Sequence, residues 1–308
     1  MPAQLGVKSS SGLFSALLTE AELKGDYAED VYLLRPGNSL DPQTQFAVTR
    51  LTRPDQQACG APVVLLHGLY RNRQQWIDSG KGLAIELLNR GYDVWLPELR
   101  EHGSSPLRTN PRIDEPHDIA HFDIPALALF VREQSGRAPA WISIDVGALS
   151  VLYGLYHGLL SENLVSGFIS LGGPCDKDAI SLGQRLVDAG MRKRMRQESG
   201  GDEYERRDWI NVWRKRFDLL SRWRNRPVKG LCAYLNTGKE AMHIIAPAHF
   251  ASRLLRWQGL SGVATDFVVD ANEQCATARA WLSLPDTLSL VLPVITHKLE
   301  RFFKPEEN

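Results

Sequence analysis

Between residues 61 and 171 short apolar runs alternate with stretches of helical spacing, and this rhythm constrains the fold more than any other feature of the chain. Pro62-Val-Val-Leu-Leu is wholly apolar and stops at His67-Gly68; polar turn residues follow, then helical spacing through Leu83-Ala-Ile-Glu-Leu-Leu. Gly91-Tyr-Asp-Val-Trp-Leu-Pro97 repeats the strand signal, Ile119 to Glu133 has helical period, and Ala140-Trp-Ile-Ser-Ile is a third strand. An apolar helix over Ala148 to Leu160 and a strand closing at Leu171 complete the series. Strands apolar on both faces need cover on both faces, so the pattern predicts a parallel sheet flanked by helices.

The flanks read differently. Residues 1–60 hold a candidate amphipathic helix near Leu13 to Leu23 and two alternating runs, at Val31 and from Gln45 to Thr52, that suggest a hairpin packed on the core. The sheet rhythm occupies 61–175 and breaks over 176–262, which reads as an inserted helical cap. Its first part, 176–229, carries 15 basic against 9 acidic residues. Residues 263–308 restore two strands, Val263 to Val269 and Thr287 to Ile295, with a helix between them over Ala276 to Leu282.

Composition removes several function classes. The 36 basic and 36 acidic residues balance, so no overall field draws the chain to nucleic acid or an anionic membrane. The 4 cysteines, Cys59, Cys175, Cys232 and Cys275, lie far apart without metal-knuckle spacing and fit a reduced compartment. The first residues lack the apolar core of a secretory leader, and no window has the ~18 apolar residues of a membrane span. We therefore expect a cytoplasmic protein with no metal, no cofactor and no nucleic-acid partner; oligomeric state is not encoded in any feature of the sequence.

Reactive side chains in parallel sheets sit on loops past the carboxyl ends of the strands. Those loops are His67-Gly68-Leu69-Tyr70, Glu98-Leu-Arg-Glu-His-Gly103, Asp145-Val-Gly147, the loop with Glu273 and the one with His297. Together Leu65-Leu-His-Gly-Leu, His102-Gly-Ser-Ser, Phe122-Asp-Ile-Pro-Ala, Trp141-Ile-Ser-Ile-Asp-Val-Gly and a late Thr296-His297 resemble the α/β-hydrolase superfamily, and within it the acid-lipase and serine-aminopeptidase-like branch.

That resemblance implies an α/β-hydrolase fold with a helical cap and hydrolysis of a small or lipid-like hydrophobic substrate. It implies oxyanion donors at the backbone amides of Leu69 and Val146, a nucleophile at Asp145, a base at His297 and an orienting acid at Glu273, with Asp270 as the alternative acid. The sequence departs from the family's G-x-S-x-G: Ser143-Ile-Asp145-Val-Gly147 has Ser at the first glycine and Asp at the nucleophile. Aspartate is a poor acyl-transfer nucleophile, but relatives of this fold use it against sp3 carbon. Three readings stay open: a hydrolase with an Asp145-His297-Glu273 triad, a lapsed enzyme that binds a ligand or partner protein, and a lyase or cyclase using the Asp-His pair. His67 is expected to brace its own loop and His102 to be structural. His67, Tyr70, Trp209 and Trp213 are pocket candidates, the tryptophans on an aromatic cap face that either packs on the core or recognises the substrate.

Overall fold

The computed structural model describes residues 6–8, 12–39, 41, 43–54, 61–68, 71–77, 81–106, 118–156, 158–171, 243–245 and 287–303. Its centre is a sheet of 9 strands in the order β1-β2-β3-β4-β6-β5-β7-β8-β9. These are β1 (Gly6–Lys8), β2 (Phe14–Lys24), β3 (Tyr27–Pro36), β4 (Phe46–Thr52), β5 (Pro62–Leu66), β6 (Asp93–Pro97), β7 (Ala140–Ile144), β8 (Gly167–Leu171) and β9 (His243–Ile245). β1 to β4 and the β4–β6 pair are antiparallel; β6, β5, β7, β8 and β9 are parallel. The four central strands, β5 to β8, are buried at every position, as their largely apolar runs require.

The helices are α1 (Gln74–Ile77), α2 (Leu83–Asn89), α3 (Ile124–Ser135), α4 (Asp145–Tyr156) and α5 (Thr287–Phe302). One face of the sheet is covered by α3 and α4, with Phe130 at the centre of an aromatic cluster, its ring 5.6 Å from Phe14, 5.2 Å from Tyr32 and 5.5 Å from Trp95. The other face is covered by α1, α2 and α5. A single π-turn, Ile119–Asp123, leads into α3, which carries Pro125 in its first turn and ends at Gly136 in the left-handed region, φ 73°. Among the described residues no helix is long and apolar enough to cross a membrane.

Three sequence expectations are corrected. Leu13 to Leu23 is not a helix: β2 pairs with β3 along its length and bulges between Leu18 and Glu20. Only its first part is buried, so the alternation faded where the ribbon leaves the core. Thr287 to Ile295 is not a strand but the first half of α5. Its local alternation resembles a strand, yet Leu288, Val291, Leu292, Ile295 and Leu299 recur at helical spacing and pack on the sheet. The stretch 176–262 is not wholly cap, because β9 lies inside it and pairs with β8; three residues were too short a run to read as a strand. Its other residues, and the strand and helix expected over 263–282, lie outside the described residues.

Candidate functional site

The chain leaves β5 toward β6 on one side and returns to β7 on the other, so the carboxyl ends of β5 and β7 flank a switch in connection direction. Open parallel sheets form their ligand crevice at such a point. Here β7 ends at Ile144 and α4 starts at Asp145 with no residue between, which is the sharp strand-to-helix turn implied by the sequence. Gly147 permits it: a Cβ there would lie 2.6 Å from the His67 carbonyl oxygen and 2.8 Å from Leu66 Cγ. The first turn of α4 therefore sits directly on the end of β5. Asp145 and Val146 stand at this turn, where helix amides have no intrahelical acceptor. Beneath it, the paired Ser143 and Ser170 are fully buried and neither hydroxyl has a partner.

His67 joins the ends of β5 and β6. The Leu99 N–H donates to its Nε2 at 3.0 Å, and because an N–H only donates, the ring proton sits on Nδ1, 2.7 Å from the Gly68 carbonyl. Complete burial, and secondarily the His102 ring with its centroid 5.4 Å away, lower the His67 pKa to about 3. The imidazole is thus a neutral brace, as expected for this loop. His102 is braced in turn, its Nδ1 lying 2.8 Å from the Arg100 carbonyl.

Two buried ionic clusters flank this brace. Glu98 accepts from the Arg73 amide at 3.1 Å, Arg73 Nη1 at 3.2 Å and the Ser104 amide at 2.9 Å. Arg73 also reaches Glu29 of β3 at 3.5 Å, tying the antiparallel ribbon to the loop after β5. Gly103, at φ 54°, leaves room for the Glu98 carboxylate that a Cβ would invade. Arg100 donates from Nε and Nη2 to the two oxygens of Asp123 at 2.7 and 2.6 Å, and both side chains are buried. The pairing of Arg73 with Glu98 escaped the sequence reading. Its one signal is a glutamate abutting the apolar strand Asp93–Pro97, which a buried position obliges to find a cation.

His297 is a correction. It lies two residues past Ile295 on α5; Val291, Ile295 and Leu299 face the sheet, and His297 faces solvent. The segment expected to end in a loop continues as a helix, so His297 stands on a helix surface rather than past a strand end. Leu69, Tyr70, Trp209, Trp213, Asp270 and Glu273 lie outside the described residues, as do the side chains of Asp145 and Val146. After β9 the sequence contains no carboxylate from residue 246 to 265.

Comparison with known proteins points to the same fold class. A family profile described as alpha/beta hydrolase fold matches residues 61–201. A probable lipase of Schizosaccharomyces pombe is 27% identical over 197 residues, covering 56% of this chain and 39% of that protein. The chain spans well under half the length of the curated relatives it matches. A soluble variant of monoglyceride lipase from Saccharomyces cerevisiae superposes with TM-score 0.55 at 14% identity, over 87% of this chain and 97% of that one. A protein of Pseudomonas aeruginosa superposes with TM-score 0.57 at 11% identity, over 92% and 96% of the two chains. A parallel sheet with its switch at β5, a strand-to-helix turn directly after β7 and these likenesses converge on one conclusion: the chain has the α/β-hydrolase fold.

Proposed function

We propose that this protein is a hydrolase-type protein that takes a small or lipid-like hydrophobic substrate above the carboxyl ends of β5 and β7. The observation that carries the reading is the turn at Ile144–Asp145, seated on the His67 carbonyl through Gly147. Lipase-like relatives support hydrolysis as the reaction class. The backbone amides of Leu69 and Val146 are the proposed donors to an oxyanion. Asp145 is the proposed nucleophile. Its carboxylate oxygen would displace the leaving group from an sp3 carbon to form an ester, and water attacking that ester's carbonyl would release the alcohol and restore the carboxylate.

His297 has no part in this proposal, since it is exposed on α5. That exposure favours a second reading: a hydrolase scaffold whose turnover has lapsed and whose crevice binds a ligand or a partner protein.

The test is a panel of p-nitrophenyl esters, epoxides and haloalkanes assayed with the parent, Asp145→Ala, Asp145→Ser and His297→Ala. Turnover of epoxides or haloalkanes that vanishes in Asp145→Ala and persists in His297→Ala establishes the aspartate reaction. Ester hydrolysis seen only in Asp145→Ser, with a silent parent, establishes the lapsed scaffold.

A further inference from the structure

We propose that the buried Asp123–Arg100 pair is a positioning pair, which acts through Leu99 and His67 to hold the His67–Gly68 loop at the carboxyl end of β5. The proposal rests on reading the His67–Gly68 loop as the lip of the crevice.

The path is continuous. Asp123 closes the π-turn ahead of α3 and is gripped at both oxygens by Arg100. That grip anchors the backbone just past β6, where the N–H of the adjacent Leu99 occupies His67 Nε2. With Nε2 occupied as an acceptor, the only ring proton is on Nδ1, and it is spent on the Gly68 carbonyl. Gly147 presses on the His67 carbonyl from the third strand end, so a shift of His67 would reach the turn at Asp145 too.

A second pair provides the control. Arg50 grips Asp93 in the same two-pronged way, at 2.8 and 3.1 Å. Asp93 begins β6 opposite Pro62, the first residue of β5, at the amino ends of these strands. It takes no part in the His67 path. A buried ion pair is weak evidence of stabilisation, because desolvation offsets its attraction, so the two pairs are distinguished by what each one positions.

The experiment is ring-nitrogen NMR of the full chain labelled at histidine. In the parent, His67 shows one protonated and one bare nitrogen, with a slowly exchanging Nδ1 proton. Asp123→Asn, folded by circular dichroism, is expected to speed exchange of that proton at least tenfold and to shift both nitrogens; Asp93→Asn is expected to leave them unchanged. Asp123→Glu keeps the charge, displaces the pair by one methylene and carries the same expectation where the Asn variant does not fold. His67 signals identical to the parent in a folded Asp123 variant overturn the proposal, as does an equal response in Asp93→Asn. The readout is independent of turnover: a His67 response without activity on any substrate of the panel supports the positioning pair while counting against the hydrolase reading.

Discussion

An imidazole whose pKa falls to about 3 in the folded protein, against 6.5 as the reference, couples folding to acidity with a definite sign. The unfolded chain binds the proton first, so the stability His67 contributes is complete above about 6.5 and drains as the pH falls toward 3. Within that window each unit removes up to about 1.4 kcal/mol. Urea midpoints of the parent between pH 7 and 4 are expected to fall more steeply than those of His67→Gln, and parallel slopes would count against the assignment. Gly147→Ala tests the neighbouring contact: neither the His67 carbonyl nor the strand beneath it yields easily, and a loss of about 1–3 kcal/mol is expected from the shift in urea midpoint. At this scale the sequence was legible where a residue type has one use. The strand ending just before His67 and the glycine two places past Asp145, which marks the turn, were both legible in the spacing. Arg73, Glu98 and the Arg100–Asp123 pair were not assigned, because pairing across 23 or 25 residues depends on tertiary approach that local pattern does not encode.

Helix α5 shows how an element can be misread. Its first half alternates apolar and polar residues and includes Pro293, both signs that argue against a helix, yet its buried stripe recurs every three or four residues. Tertiary packing overrides the local preference, and the proline remains as a local defect: it is exposed, and it has no N–H for the carbonyl four residues earlier. Pro293→Ala is expected to raise stability by about 1–3 kcal/mol, read as a higher melting temperature. No change would mean that the helix already relieves the proline by bending. The placement of His297 failed with the same misreading, since a strand end and a helix surface put a side chain in different places. β2 was misread for a related reason. Its inward positions, Phe14 and Ala16, are few, and beyond the bulge most of the strand is solvated.

Over the whole molecule, the covered parallel character of the central strands was legible in the sequence because largely apolar runs need cover on both faces, whereas their order, with β5 between β6 and β7, depends on connections that local pattern does not encode. The antiparallel extension β1–β2–β3 was only partly legible. The C-terminal helix completes one of the two cores: Val291, Ile295 and Leu299 are buried, Phe302 fills the space beside Gly167, and Arg137 caps Phe303 with its guanidinium 5.0 Å from the ring. Removing residues 287–308 deletes three buried aliphatic side chains whose burial is worth roughly 2 kcal/mol each, a sum comparable with the net stability of many domains, and uncovers the sheet face they pack on. The truncated chain is expected to lose its cooperative thermal transition by circular dichroism. A retained transition within a few degrees of the parent would show that the sheet closes without α5.

The turn between β2 and β3 lies at the opposite extreme. Lys24 pairs with Tyr27 across only Gly25 and Asp26, and Gly25 adopts φ 62° with nothing within 4 Å of where a Cβ would sit. Glycine at the first central position gives the twist a two-residue hairpin favours, and the space around it is open. A short epitope or fluorophore acceptor spliced between Gly25 and Asp26 would therefore ride on the ribbon tip, giving a handle for imaging or immobilisation that leaves both chain ends available.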